Sequence, residues 1–226
     1  MPNGPLSLPA RLYLLAWDTT KPRITGSTHL HHLVRAGALT ELAQRGLLLD
    51  DDGIVTPVDA DSRTGDLVLD GLLELVAESM PRRWKPWVTL RARITLDAVR
   101  AQLAAEGYLR AEKKRVLGLF PSVEYELDRV PAVDALRARV RQVMEGPVPV
   151  SEVSERDAAL VALATAAELR TVASSKERRL HAARIDELAE RGGTAAPALR
   201  KVIQEVRTAV VVAAATAAAT ASTTGS

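Results

Sequence analysis

The chain has 226 residues, 47% of them apolar, enough to fill a real core, and its lack of cysteine excludes disulfides and thiolate metal sites. The start MPNGPLSLPARLYLL has neither a basic region nor a long apolar one, and the longest uncharged run, Thr208 to Ser226, is mostly Ala and Thr, so a cytoplasmic chain without a membrane span is expected. Net charge is only +2, but Arg outnumbers Lys 24 to 6 and the charges are sorted, with −8 between Glu41 and Met80 and +7 between Pro81 and Arg115, which points to a polyanionic partner, either phospholipid headgroups or nucleic acid.

Apolar residues recur at spacings of three and four, which predicts a mainly α fold: a single domain with a helical-bundle core surrounded by amphipathic helices, plus short β-hairpins. Ser7 before Leu8-Pro9 starts a first helix through Leu12, Leu14, Leu15 and Trp17, since Pro is tolerated where the N–H has no partner. Ser27 is the expected N-cap of a second helix through Leu30, Leu33, Val34, Leu39 and Leu42 to Gly46. Leu47 to Val55, with Asp50 to Gly53 in the middle, reads as a short hairpin. Thr64-Gly65-Asp66 opens a helix through Leu69, Leu72, Leu73 and Val76, and Thr95 opens another through Leu96, Val99 and Leu103 to Gly107. A second hairpin has arms near Tyr108–Ala111 and Glu124–Leu127, and its middle, Val116 to Pro121, is apolar where turns are usually polar.

Helices over Pro131–Glu145, Glu155–Ala173, Lys176–Arg191 and Ala196–Ala219 are expected to follow, with a capping box at Ser154 and Asp157 and a linker at Gly146-Pro147-Val148-Pro149. One domain is expected over 1–219, with 220–226 a frayed tail.

Chemistry-bearing patterns are sparse. The only histidines are His29, His31, His32 and His181, and neither a nucleophile elbow, a phosphate loop nor a dinucleotide fingerprint occurs. His29 and His32 share a helix face but lack the companion ligands of a zinc site, which favours a packing or surface role. Asp50-Asp51-Asp52-Gly53 lacks the alternate ligands of a calcium loop and reads as a turn. No catalytic residue, metal or cofactor is expected, and the chain does not read as an enzyme. Arg82-Arg83-Trp84-Lys85-Pro86-Trp87 mixes indoles with cations, which suits a headgroup layer or a cation–π contact, with a core anchor at a helix start as the other reading of both indoles. Phe120, the only phenylalanine, belongs either at an exposed tip or in the core.

Leu6-Ser7-Leu8-Pro9, Glu41-Leu42-Ala43-Gln44-Arg45-Gly46, Thr64-Gly65-Asp66 with Leu69-Asp70, Trp87-Val88, and Val116-Leu117-Gly118-Leu119-Phe120-Pro121 together resemble the Golgi phosphoprotein 3-like family, including its bacterial members, in order and spacing over nearly the whole chain. The resemblance implies a helical domain with a protruding hairpin that binds phosphatidylinositol 4-phosphate on membranes, where eukaryotic relatives act as adaptors for glycosyltransferases. It implies a headgroup site of one tryptophan and three arginines. Counted along this chain, two of the arginines fall on Arg35 and Arg93, the tryptophan position is Gly26 and the last arginine position is Leu96, with Arg91 or Arg100 as possible substitutes.

Arg35, Arg93 and Arg91 are therefore the candidate anionic-headgroup ligands, and Leu117, Leu119 and Phe120 the candidate membrane-inserting hairpin tip. Each basic residue near an anionic surface contributes about 1 kcal/mol, and burying a Leu or a Phe roughly 1.5–3 kcal/mol. The expected protein is a cytoplasmic, peripherally membrane-associated binder of anionic phospholipids on the cytosolic face, with a membrane-protein client and self-association through the hairpin as further expected partners. Two alternatives stand beside it. One is a winged-helix DNA-binding module, since Leu39–Val55 and Leu96–Leu127 each run helix, glycine, strand, turn, strand. The other is a scaffold that binds protein without lipid.

Overall fold

The computed structural model describes residues 5–21, 23–116, 120–191 and 196–223. Among the described residues there are ten α-helices and three small antiparallel sheets. The mainly α fold read from the periodicity is the observed one.

Helix α1 (Leu8–Leu15) opens on Leu8-Pro9 with Ser7 at the N-cap position. Ser7 supplies no cap of its own; the Leu8 N–H donates to the Glu41 carboxylate at 2.5 Å. Helix α2 (Leu30–Gln44) is buried along almost its whole length, the polar Arg35, Thr40 and Glu41 included. Its first residue is Leu30, not one following Ser27. Gly26 takes a left-handed φ of +65° and the chain turns through 27–29 before the helix begins at its N-cap, His29. At Gly37 the two helices nearly touch: a Cβ there would lie 2.5 Å from Leu12 Cδ1.

Strands β1 (Trp17–Asp18) and β2 (Arg23–Ile24) form a minimal ladder. Strands β3 (Leu48–Asp51) and β4 (Ile54–Pro57) form the expected hairpin, with Asp52 and Gly53 both at positive φ in the two-residue turn. A third strand, β5 (Arg82–Arg83), joins β4. Helix α3 (Leu67–Ala77) is capped by Asp66, whose carboxylate accepts from the Val68 and Leu69 N–H groups.

Helix α4 (Trp84–Thr89) buries both indoles of the basic stretch: Trp84 is 2% exposed and Trp87 0%. Of the two readings of these tryptophans, headgroup layer and core anchor, burial bears out the core anchor, while Arg82, Arg83 and Lys85 beside them are exposed. Helix α5 (Ala92–Ala105) starts three residues before Thr95, because Arg91 adopts φ +50° and serves as the N-cap; Thr95 lies buried within the helix.

Strands β6 (Leu109–Val116) and β7 (Phe120–Leu127) form the long hairpin, in register from Leu109↔Leu127 to Val116↔Phe120. Helix α6 (Val130–Glu145) follows as expected. Helix α7 (Glu155–Ala166) ends early, since Glu168 turns to φ +52°. Ser154 caps its Asp157 N–H, but the reciprocal bond of a capping box is found instead at Ser174 and Glu177. The expected single helix over Lys176–Arg191 breaks at His181 into α8 (Ser175–Leu180) and α9 (Ala182–Glu190). Helix α10 (Ala196–Thr223) is the last; it packs on α2, α4, α7 and α9, with Leu199, Val202 and Val206 buried, and further along it exposes Val211 and Val212. Among the described residues, no helix is long and apolar enough to cross a membrane.

Helices α2 and α7 form the centre, with α1, α3, α4, α5, α9 and α10 packed around them. That arrangement sets the start of α2 beside the start of α5.

Candidate functional site

Arg35 lies one turn into α2 and is only 1% exposed. Its Nη2 donates to the Arg91 carbonyl at 2.9 Å, while its buried Nε and Nη1 have no hydrogen-bond partner. Loss of hydration pulls its pKa down from the ordinary arginine range to about 10. It remains a cation at neutral pH. A buried, incompletely bonded guanidinium is costly to the fold.

The Arg91 carbonyl held by Arg35 also accepts the Ile94 N–H at 2.9 Å, and the left-handed turn at Arg91 directs the chain into α5. Arg91, Arg93 and Ile94 are exposed around that turn, whereas Leu96 is buried in the core. The structure therefore brings Arg35, Arg91 and Arg93 together where α2 meets the first turn of α5. Among the described residues, none of the three forms an ion pair with a carboxylate. Arg100 points elsewhere, pairing with Asp97 and lying 5.7 Å from the ring centres of Tyr13 and Tyr125.

Gly26, at the position where the resemblance implies tryptophan, is explained by its surroundings. Its backbone is left-handed, and a Cβ would come 3.1 Å from His29 Nε2 and 3.6 Å from Leu169 Cδ2. The His29 ring, bonded to the Ala167 carbonyl at 3.0 Å, takes that space. His31 and His32 follow on α2, half-buried, with ring centres 4.0 Å apart. Burial first, then each other, Arg93 and His29 push His31 from 6.5 down to about 4; burial, His29 and Arg93 also lower His32. These two rings were absent from the sequence-derived ligand set. The available signal was three histidines in four positions, two of them, His31 and His32, about one helical turn before Arg35. Among the described residues, no group of three or more His, Asp or Glu is placed to hold a metal ion.

Of the candidate hairpin tip, Leu117 and Leu119 lie outside the described residues, and of Phe120 only the backbone, paired with Val116, is described. Lower on the hairpin, Arg110 pairs with Glu126 and Glu112. The first winged-helix candidate fails on burial: Leu39 to Ala43 is interior, so no recognition helix is exposed before β3.

The family model described as Golgi phosphoprotein 3 (GPP34) matches residues 8–206. A search of curated proteins gives no match.

Proposed function

The chain belongs to the Golgi phosphoprotein 3 family, and from that premise we propose that it attaches reversibly to membranes by binding anionic phospholipid headgroups at the Arg91–Arg93 turn, acting as a binding protein rather than a catalyst. The observation that carries this reading is the cluster of Arg35, Arg91 and Arg93, a convergence of three cations unmatched by a carboxylate among the described residues. Guanidinium groups engage phosphate oxygens in pairs, which suits Arg91 and Arg93 to direct contact. Arg35 works from behind. It fixes the Arg91 carbonyl and so the N-cap of α5, and its charge adds to the positive potential at the surface.

Phosphatidylinositol 4-phosphate is the headgroup that family membership suggests. Gly26 and Leu96 alter two of the four positions implied for that ligand, so a broader preference for phosphate-bearing lipids fits this chain better. Attachment of a membrane-protein client, as an adaptor would require, belongs to the same reading.

Vesicle flotation tests it. The protein should float with vesicles containing phosphatidylglycerol or phosphatidylinositol 4-phosphate and not with neutral phosphatidylcholine vesicles. Replacing Arg91 and Arg93 together by Ala should remove about 2 kcal/mol of attraction, weakening binding roughly thirtyfold. Equal flotation on neutral and anionic vesicles, or no loss in the double variant, would overturn it.

A further inference from the structure

The first turn of α2 holds an unusual density of imidazoles. His31 and His32 stand 4.0 Å apart between ring centres, tilted by 46°, and Nδ1 of His32 is buried without a hydrogen-bond partner. His32 precedes Arg35 by three residues and His31 by four, so both share its side of the helix. The charged and titratable groups that act on the rings are His32, Arg93 and His29 for His31, and His29 and Arg93 for His32, all cationic or neutral. None comes from α1, α3, α4, α7, α10 or β3, the other elements packed on α2, among the described residues. Burial first, and then these neighbours, with no carboxylate acting on the rings among the described residues, favour the neutral form of both. An anion at Arg93 would reverse that field and supply a partner for the unpaired Nδ1 of His32.

We propose that His31 and His32 are further headgroup ligands beside Arg91 and Arg93, taking up protons as the anion binds, so that attachment tightens as the medium becomes acidic. This rests on the anionic-headgroup reading of the site. A neutral imidazole offers an anion one donor, whereas the charged ring offers two donors and a positive charge. The sign follows from linkage. The free protein holds the His31 proton only below about pH 4, the anion-bound protein holds it up to the ordinary histidine range, and between those limits the bound state carries more protons, so binding strengthens as pH falls. A ring whose pKa returns to about 6.5 on binding gives about a tenfold gain in affinity between about pH 7.5 and about pH 5.5.

The test is co-sedimentation of the full chain with vesicles of phosphatidylglycerol in phosphatidylcholine, at fixed ionic strength, near those two pH values. A diester headgroup keeps its charge across that interval, so the lipid contributes no titration of its own. The wild-type protein should bind at least about tenfold more tightly at the lower pH. His31→Gln with His32→Gln, which keeps an N–H donor at each position but cannot take up a proton, should bind with the same affinity at the two pH values.

Equal wild-type affinity at the two pH values overturns the proposal, as does a gain that persists in the double variant, which would assign it to other titrating groups. Absence of wild-type binding at both pH values overturns the headgroup reading itself and this proposal with it. A flat profile with binding intact leaves the headgroup reading standing.

Discussion

Arg35 concentrates the conflict between stability and function at the scale of one side chain. It is almost wholly buried, keeps its charge, and satisfies one of its nitrogens on the Arg91 carbonyl while two have no partner. Methionine has similar length and no charge to desolvate. Arg35→Met should therefore leave the melting temperature unchanged or raise it by about 2–4 °C, the equivalent of about 1 kcal/mol in a chain of this size, while flotation on anionic vesicles falls. A marked drop in melting temperature would mean that Arg35 is a structural strut and not a functional cation. Its alignment with Arg93 was legible through the series of motifs. Its burial was not, because arginine is rarely found inside and the spacing on α2 does not separate a lining residue from an interior one. The histidines were passed over for the same reason. Alone, each fits a packing role; only the proximity of α5 gives them Arg93 as a neighbour.

Element boundaries show where local chemistry decides and where tertiary context does. Thr64-Gly65-Asp66 was readable as a helix start because a carboxylate at the N-cap satisfies backbone N–H groups that would otherwise lack acceptors. Asp66 does so for Val68 and Leu69, and its other oxygen accepts from Gln102 Nε2 at 3.1 Å, tying α3 to α5. Asp66→Ala should cost about 1–2 kcal/mol, seen as a fall of about 2–8 °C in melting temperature by circular dichroism. The start of α5 carried no such signal. Arg91 is left-handed without being Gly or Asn, and the conformation is held by a long-range bond from Arg35, fifty-six residues away in sequence. Thr95, a sound capping residue by type, was therefore assigned the role that Arg91 performs. The strand Arg82–Arg83 was likewise hidden: two exposed arginines have no period, and only β4 beside them makes them a strand.

Across the whole molecule, the central position of α2 and α7 and the burial of the tryptophans come from the same need to cover two helices that have little polar surface. The sequence made the helical class plain through its periodicity, but which helices lie innermost depends on how all of them pack. One buried carboxylate links these layers. Glu41, on α2 with its side chain 4% exposed, accepts the Leu8 N–H at the start of α1, Arg45 Nη2 at 2.7 Å and Arg156 Nη2 at 3.0 Å from α7. Arg156 also reaches the Leu6 carbonyl at 2.6 Å, so the segment entering α1 is held from both sides. Glu41→Gln preserves the shape but removes the one charge that two guanidinium groups share. Arg45 is exposed enough to rehydrate; Arg156, with a buried Nε lacking a partner, is less so. The expected loss is about 3 kcal/mol, at the lower end for breaking a buried ion pair, with the urea midpoint shifted down and the slope unchanged. Below its transition the variant should still float with anionic vesicles as the parent does, because Glu41 contacts neither Arg91 nor Arg93. Loss of vesicle binding in a variant that remains folded would couple the α1–α2–α7 junction to the headgroup site and require a site larger than the α2–α5 meeting point.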